Sequence, residues 1–248
     1  MRNIDCGPGH GIRIGSLDKG GAFAAVADVA LDGARISRAQ NRVRIKTWQG
    51  GAGYVRGVRF ANVAVDGVDH PIIIDQFYCD VPRRGGDGGS PCANQTSAVA
   101  VSDVSYRNIS GTPRRAEAIR FACSDAVPCT GIVLSDINLR RADDDGEVQT
   151  VCNCAVGFDH GRVRPAADCL RSSTCGGAPD KHPRRGGGAA GEGRGRRPAH
   201  RALSKQLQVD CNQWSSRSFI RPSLLVANAN ACRDQLLLSK FFFDSKVC

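Results

Sequence analysis

Arg44 and Lys46 stand two residues apart in the run Asn41-Arg-Val-Arg-Ile-Lys-Thr-Trp-Gln-Gly-Gly51. Side chains on a strand alternate between faces, so both cations project from one face while Val43 and Ile45 point the other way. A guanidinium offers a carboxylate a planar fork of donors and an ammonium adds a compact charge, which suits the pair to an anionic ligand. An ordinary solvated strand face would carry the same alternation. His10 lies between glycines in Cys6-Gly-Pro-Gly-His-Gly11, on a turn where an imidazole can approach a ligand with little crowding. A surface turn histidine would have the same flanks. Tyr78 follows Ile72-Ile-Ile-Asp-Gln-Phe77, and a phenol beside a ring can stack and hydrogen-bond at once; a core tyrosine fits the same residues.

The elements that must position these residues repeat along the chain. A β-branched residue, a gap, a large apolar residue, a gap and a small or polar residue recur as Val29-Ala-Leu31-Asp-Gly33, Val58-Arg-Phe60-Ala-Asn62, Val104-Ser-Tyr106-Arg-Asn108 and Ile132-Val-Leu134-Ser-Asp136. A second family keeps step with it at Val43/Ile45, Ile72/Ile74 and Ile119/Phe121. Alternation over short runs, broken by Gly, Asn and Asp, predicts strands. Several strands per repeat of about 28 residues predict a solenoid whose coils stack on a shared apolar interior, a parallel β-helix. An antiparallel sandwich is the alternative that strand spacing leaves open.

The Gly-His-Gly motif at His10, the Arg-Ile-Lys motif at Arg44–Lys46 and the Tyr after Asp75-Gln-Phe77 occur in this order with Cys123-Ser124…Pro128-Cys129 and a Gly-x-Val-x-Pro-x-x-x-Cys ending at Cys169. Together they resemble the plant polygalacturonases of glycoside hydrolase family 28, over about residues 4–169. The resemblance implies an all-β, right-handed parallel β-helix of the pectin-lyase-like kind, here with four to six coils over residues 4–150. It implies hydrolysis of the α-1,4-galacturonan of pectin with inversion, in carbohydrate metabolism and cell wall organisation. His10 then belongs to the catalytic centre, and Arg44, Lys46 and Tyr78 bind substrate. Galacturonan carries a carboxylate on each sugar, which is what a cation pair on one face would hold. No cofactor or metal is implied, and the partner is pectin or oligogalacturonate, bound by a monomer in the extracellular cell wall.

An inverting glycosidase uses one carboxylic acid to protonate the leaving oxygen and one carboxylate to activate water, roughly 6.5–9.5 Å apart. In the family these come from Asn-Thr-Asp-type and Asp-Asp motifs upstream of Gly-His-Gly. Nine residues precede His10 here, and neither motif fits them, so the chain is expected to be inactive and its first coil to present an uncovered edge. The run Asp143-Asp144-Asp145 lies about a hundred residues beyond Arg44, three to four coils away at ~4.8 Å per coil. Arg42 stands where the family has Gly. By the same resemblance Cys6 is expected to be unpaired. Local pairs are expected for Cys123 with Cys129, Cys79 with Cys92, and Cys169 with Cys152 or Cys154. A zinc site on Cys152-x-Cys154 is disfavoured, because no second ligand pair stands at typical spacing and His160 is alone.

The remaining features bound the function classes. Twelve cysteines in 248 residues point to an oxidising compartment, although no apolar run of signal-peptide length follows Met1 and no window reaches the ~20 apolar residues of a membrane span. The net charge of +10 is concentrated late in the chain: residues 1–170 hold 20 Lys/Arg against 19 Asp/Glu, and residues 171–205 hold 9 against 2. The expected organisation is a β-helix over 1–170, a disordered basic Gly/Arg-rich segment over 171–205, and 206–248 unassigned. Aromatic residues are absent between Gly176 and Arg201, which argues against nucleic acid as a partner. A non-catalytic module that binds a wall polyanion through Arg44 and Lys46 is the alternative function.

Overall fold

The computed structural model describes residues 1–19, 23–39, 41–78, 96–141, 146–172 and 175, with the backbone of 207–211 and 214–216. Eleven strands come first: β1 (Arg2–Cys6), β2 (Gly9–Leu17), β3 (Phe23–Ser37), β4 (Asn41–Trp48), β5 (Ala52–Val68), β6 (His70–Tyr78), β7 (Ala100–Pro113), β8 (Glu117–Ala122), β9 (Cys129–Leu139), β10 (Gln149–Asn153) and β11 (Ala155–Arg164). One helical turn, α1 (Cys169–Ser172), and two short strands, β12 (Leu207–Cys211) and β13 (Trp214–Ser216), follow. No helix among the described residues is long and apolar enough to cross a membrane.

The even-numbered strands from β2 to β10 pair side by side in one sheet, and the odd-numbered strands from β1 to β11 in another. Every coil-to-coil pairing is parallel, which removes the antiparallel sandwich and makes the fold a parallel β-helix of about five coils. The repeat sets the interior. Val29 faces Val58, Val58 faces Val104, and Val104 faces Ile132, and none of the four is more than 3% exposed. Taking each such side chain out of water contributes about 1.5–3 kcal/mol. In the other sheet Ile12, Val43, Ile72 and Ile119 form a matching column. Aromatic rings stack within the interior, with Phe60 stacked on Tyr106 at 5.3 Å and Tyr106 6.0 Å from Phe121.

The long strands are bent at two columns of left-handed backbone. Asp28, Gly57, Asp103 and Gly131 make one, and Asn3, Gly33, Asn62, Asn108, Asp136 and Gly161 the other, with φ between 50 and 78°. Asn and Asp tolerate this region better than other side-chain-bearing residues because their short polar groups bond locally. Here they also bond from coil to coil: Asn108 donates to Asn62 at 2.8 Å and Asn62 to Asp32 at 2.6 Å.

The two ends of the solenoid are closed differently. At the far end α1 packs on β10 and β11, held by disulfides Cys152–Cys169 and Cys154–Cys175. At the near end β13 pairs antiparallel with β1, and β12 antiparallel with β2. The expected uncovered edge on the first coil is therefore wrong: strands drawn from the unassigned segment 206–248 occupy it, because an open edge offers unpaired N–H and C=O groups to any extended segment that can reach it.

Cysteine pairing departs from expectation in two further places. Cys6 is disulfide-bonded, not unpaired. Cys154 pairs with Cys175, which no local spacing suggested, while Cys123–Cys129 forms as expected and Cys152 is the partner of Cys169. The thiolates that a zinc ion on Cys152 and Cys154 would need are thus consumed. The expected pair Cys79–Cys92, the run Asp143–Asp145 and residues 176–205 lie outside the described residues. Arg171 and Ser172, at the start of the segment expected to be disordered, belong to α1.

Candidate functional site

The outer face of the sheet that contains β2, β4 and β6 carries the candidate site. Val43 and Ile45 are fully buried, and strand alternation turns Arg44 and Lys46 to the outside. Gly15 makes room for this: at φ +104, a Cβ there would lie 2.1 Å from the Lys46 carbonyl oxygen, so β2 approaches β4 closely beside Lys46. Gln49 fixes the strand ends that bear the aromatic residues, its backbone N–H donating to the Tyr78 carbonyl at 3.1 Å and its side chain to the Phe77 carbonyl at 3.2 Å.

Lys46 and Tyr78 are in direct contact, the Lys46 Nζ standing 3.1 Å from the ring centroid. Trp48 faces Tyr78 across the β4–β6 ladder and meets it edge to face at 4.6 Å. The second cation is committed elsewhere. Arg44 Nη2 donates to Asp75 Oδ2 at 2.6 Å, with the two side chains 18% and 21% exposed. The other carboxylate oxygen of Asp75 accepts from the Phe77 backbone N–H at 3.2 Å. Asp75 also lies opposite Lys46 in the register. Arg44 is therefore an ion-paired, ordered support, and Lys46 lies over the Tyr78 ring. This divides what the Arg-x-Lys spacing presents as one equal pair.

His10 is exposed near the start of β2. Because Ile12 faces Val43, His10 is displaced by five residues along the strand from Lys46, about 16 Å at ~3.3 Å per residue. The fold thus gathers Lys46, Tyr78 and Arg44 within one neighbourhood and sets His10 on the adjacent strand toward its other end. Arg42, the departure from the family pattern, has a side chain outside the described residues.

Three residues at this face escaped sequence reasoning. Arg13 faces Arg44 in the register, and the run Gly11-Ile-Arg-Ile-Gly15, with the same alternation as Val43-Arg-Ile-Lys46, carried that signal. Trp48 continues the alternation of Arg44 and Lys46 by one more step. Lys19 stands with its Nζ 4.9 Å from the Trp48 ring centroid, and nothing in its local sequence announces that contact, which depends on coil stacking.

The family model described as glycosyl hydrolases family 28 matches residues 1–157. A probable polygalacturonase of Arabidopsis thaliana is 46% identical over 174 residues, covering 70% of this chain and 37% of that protein. Polygalacturonase-2 of Solanum lycopersicum is 50% identical over 137 residues, 55% of this chain and 28% of its own length. A polygalacturonase of Chamaecyparis obtusa is 42% identical over 171 residues, 69% of this chain and 32% of its own length. The chain spans about a third of the length of these curated relatives.

Proposed function

The chain belongs to glycosyl hydrolases family 28, and from that premise we propose that it is a polygalacturonase-type β-helix that holds the α-1,4-linked galacturonan of pectin on the outer face of β2, β4 and β6. The observation that carries this reading is the Lys46 ammonium lodged over the Tyr78 ring, 3.1 Å from its centroid. Such a pair can take a sugar carboxylate by the charge of Lys46 and a sugar hydroxyl by the phenol of Tyr78. Arg44, anchored by Asp75, supports the strand and fixes the position of Lys46. His10 serves the reacting end of the same face. The polygalacturonase relatives support pectin as the substrate, and the disulfides support an extracellular, oxidising setting such as the cell wall.

Hydrolysis with inversion requires a carboxylic acid and a carboxylate, each free to exchange a proton. Asp75 is the carboxylate paired with this strand face among the described residues, and both its oxygens are used, one by Arg44 and one by the Phe77 backbone. The 248 residues by themselves are expected to bind without cleaving. Binding is tested by titrating the chain with oligogalacturonate. Lys46→Ala is expected to weaken affinity about tenfold or more, as loss of one charge-assisted contact does, and Arg44→Ala less. Binding that is unchanged by Lys46→Ala, or insensitive to added salt, sinks the reading of the site. Reducing-sugar release by the pure chain above a heat-killed control sinks the claim of inactivity.

A further inference from the structure

We propose that Asn108, in the sequon Asn108-Ile-Ser110, is a site of N-glycosylation whose oligosaccharide stands on the outer face of the odd-numbered sheet. Asparagine, then any residue but Pro, then Ser or Thr is the acceptor pattern in a secreted chain. The inference therefore uses the extracellular setting proposed above, but not the pectin site, which lies on the other sheet. The donor is a lipid-linked pyrophosphate oligosaccharide. A bond forms between Asn108 Nδ2 and C1 of the first N-acetylglucosamine as the C1–O bond to pyrophosphate breaks. The lipid pyrophosphate leaves with that electron pair, and one amide proton passes to base.

The fold makes this sequon able to carry a sugar. Asn108 belongs to the second column of left-handed bends, with φ 51°, and there the strand alternation slips. Arg107 and Asn108 are both exposed, whereas Tyr106 and Ile109 on either side of them are fully buried. Asn108 is thereby set on the outside, while the Ile between the two sequon residues anchors the segment in the interior between Val63 and Ile137. Ser110 is exposed too, as are its neighbours in register, Ala64 and Asn138. The coils on either side leave the ridge open, because Asn62 and Asp136, which hold the same bend position, are short and exposed. The Asn108 amide donates to Asn62 at 2.8 Å. A primary amide has two N–H donors, and glycosylation replaces one hydrogen, so the bond between coils and the sugar can coexist. A bulky, solubilising group at this ridge extends into solvent without entering the core.

The experiment is peptide mass mapping of the whole 248-residue chain, secreted from a eukaryotic host behind a leader, after an endoglycosidase has trimmed each high-mannose glycan to one N-acetylglucosamine. Mapping is used instead of total mass because the chain has a second sequon, Asn94-Gln-Thr96, whose asparagine lies outside the described residues. The expected result is N-acetylglucosamine on Asn108 in the monomeric, cooperatively melting fraction. Trimming should run to completion without denaturation, because the bend is exposed. Ser110→Ala should abolish the modification at Asn108 and Ser110→Thr should keep it. Both variants leave the Asn108–Asn62 bond in place and should melt as the wild type does. Unmodified Asn108 in the folded fraction, a sugar confined to aggregated chain, or an Asn108 glycan that survives Ser110→Ala overturns the proposal. Oligogalacturonate binding is read separately, in the Lys46→Ala titration, so the two readings fail independently.

Discussion

Tyr106 is fully buried between Phe60 and Phe121, and its hydroxyl has no hydrogen-bond partner among the described residues. Burial drives its ionisation far above the usual phenol range. A buried polar group without a partner costs about 1–3 kcal/mol, so Tyr106→Phe should raise the unfolding free energy by about 1 kcal/mol or more, read from urea denaturation; a lower midpoint would show a partner for the hydroxyl. Asp18 makes a second residue-scale prediction. Burial raises its pKa, opposed by the hydrogen bond from Ala52. A carboxyl raised in the folded state binds its proton more tightly there than when unfolded, so it costs stability as pH rises from the ordinary Asp range through its raised value. Asp18→Asn should flatten that decline, measured as unfolding free energy between about pH 3.5 and 7; an unchanged slope would refute it. At this scale the sequence disclosed alternation and little else. Arg44 and Lys46 were visible as neighbours on one face, but the capture of Arg44 by Asp75, 31 residues away, follows from coil register. The same holds for Lys19 over Trp48.

At the scale of elements, the columns of left-handed residues decide where each long strand bends. Asn62 has φ 57°, donates to Asp32 and accepts from Asn108. Asn62→Ala loses both bonds and places a Cβ-bearing residue with no local compensation in a region that costs about 1–2 kcal/mol; a loss of roughly 2–3 kcal/mol is expected. Asn62→Gly should cost less, since the backbone conformation is then free of strain. Equal thermal midpoints for the two variants would show that the ladder, not the bend, carries the effect. The strands themselves were legible, because the steps of 29 and 28 residues in the repeat equal the register that pairs Val29 with Val58 and Val104 with Ile132. The bends were written in the same repeats, whose final small or polar positions Gly33, Asn62, Asn108 and Asp136 are the bend column. Their role needed backbone angles to appear.

At the scale of the whole molecule, the closure of the first coil by β12 and β13 was illegible. These strands share no period with the repeat and join the solenoid only through antiparallel pairing, which periodicity cannot report. Removing residues 204–248 should uncover the edges of β1 and β2 and cause self-association, since unpaired edges recruit other strands. Sedimentation velocity checks this: the full chain is expected as a monomer and the truncated chain as larger species. A monomeric truncated chain would mean that the cap is dispensable. The antiparallel cap also has a mechanical consequence. Ile4 faces Ser216 and Cys6 faces Trp214, so the start of β1 lies beside the end of β13. A force pulling on Met1 and on the chain just after Ser216 grips that pair at the same end and opens its bonds one after another, as a zip opens. The stacked coils would bear the load only after the zip had run, and the molecule would yield first at its cap while its interior columns stayed closed.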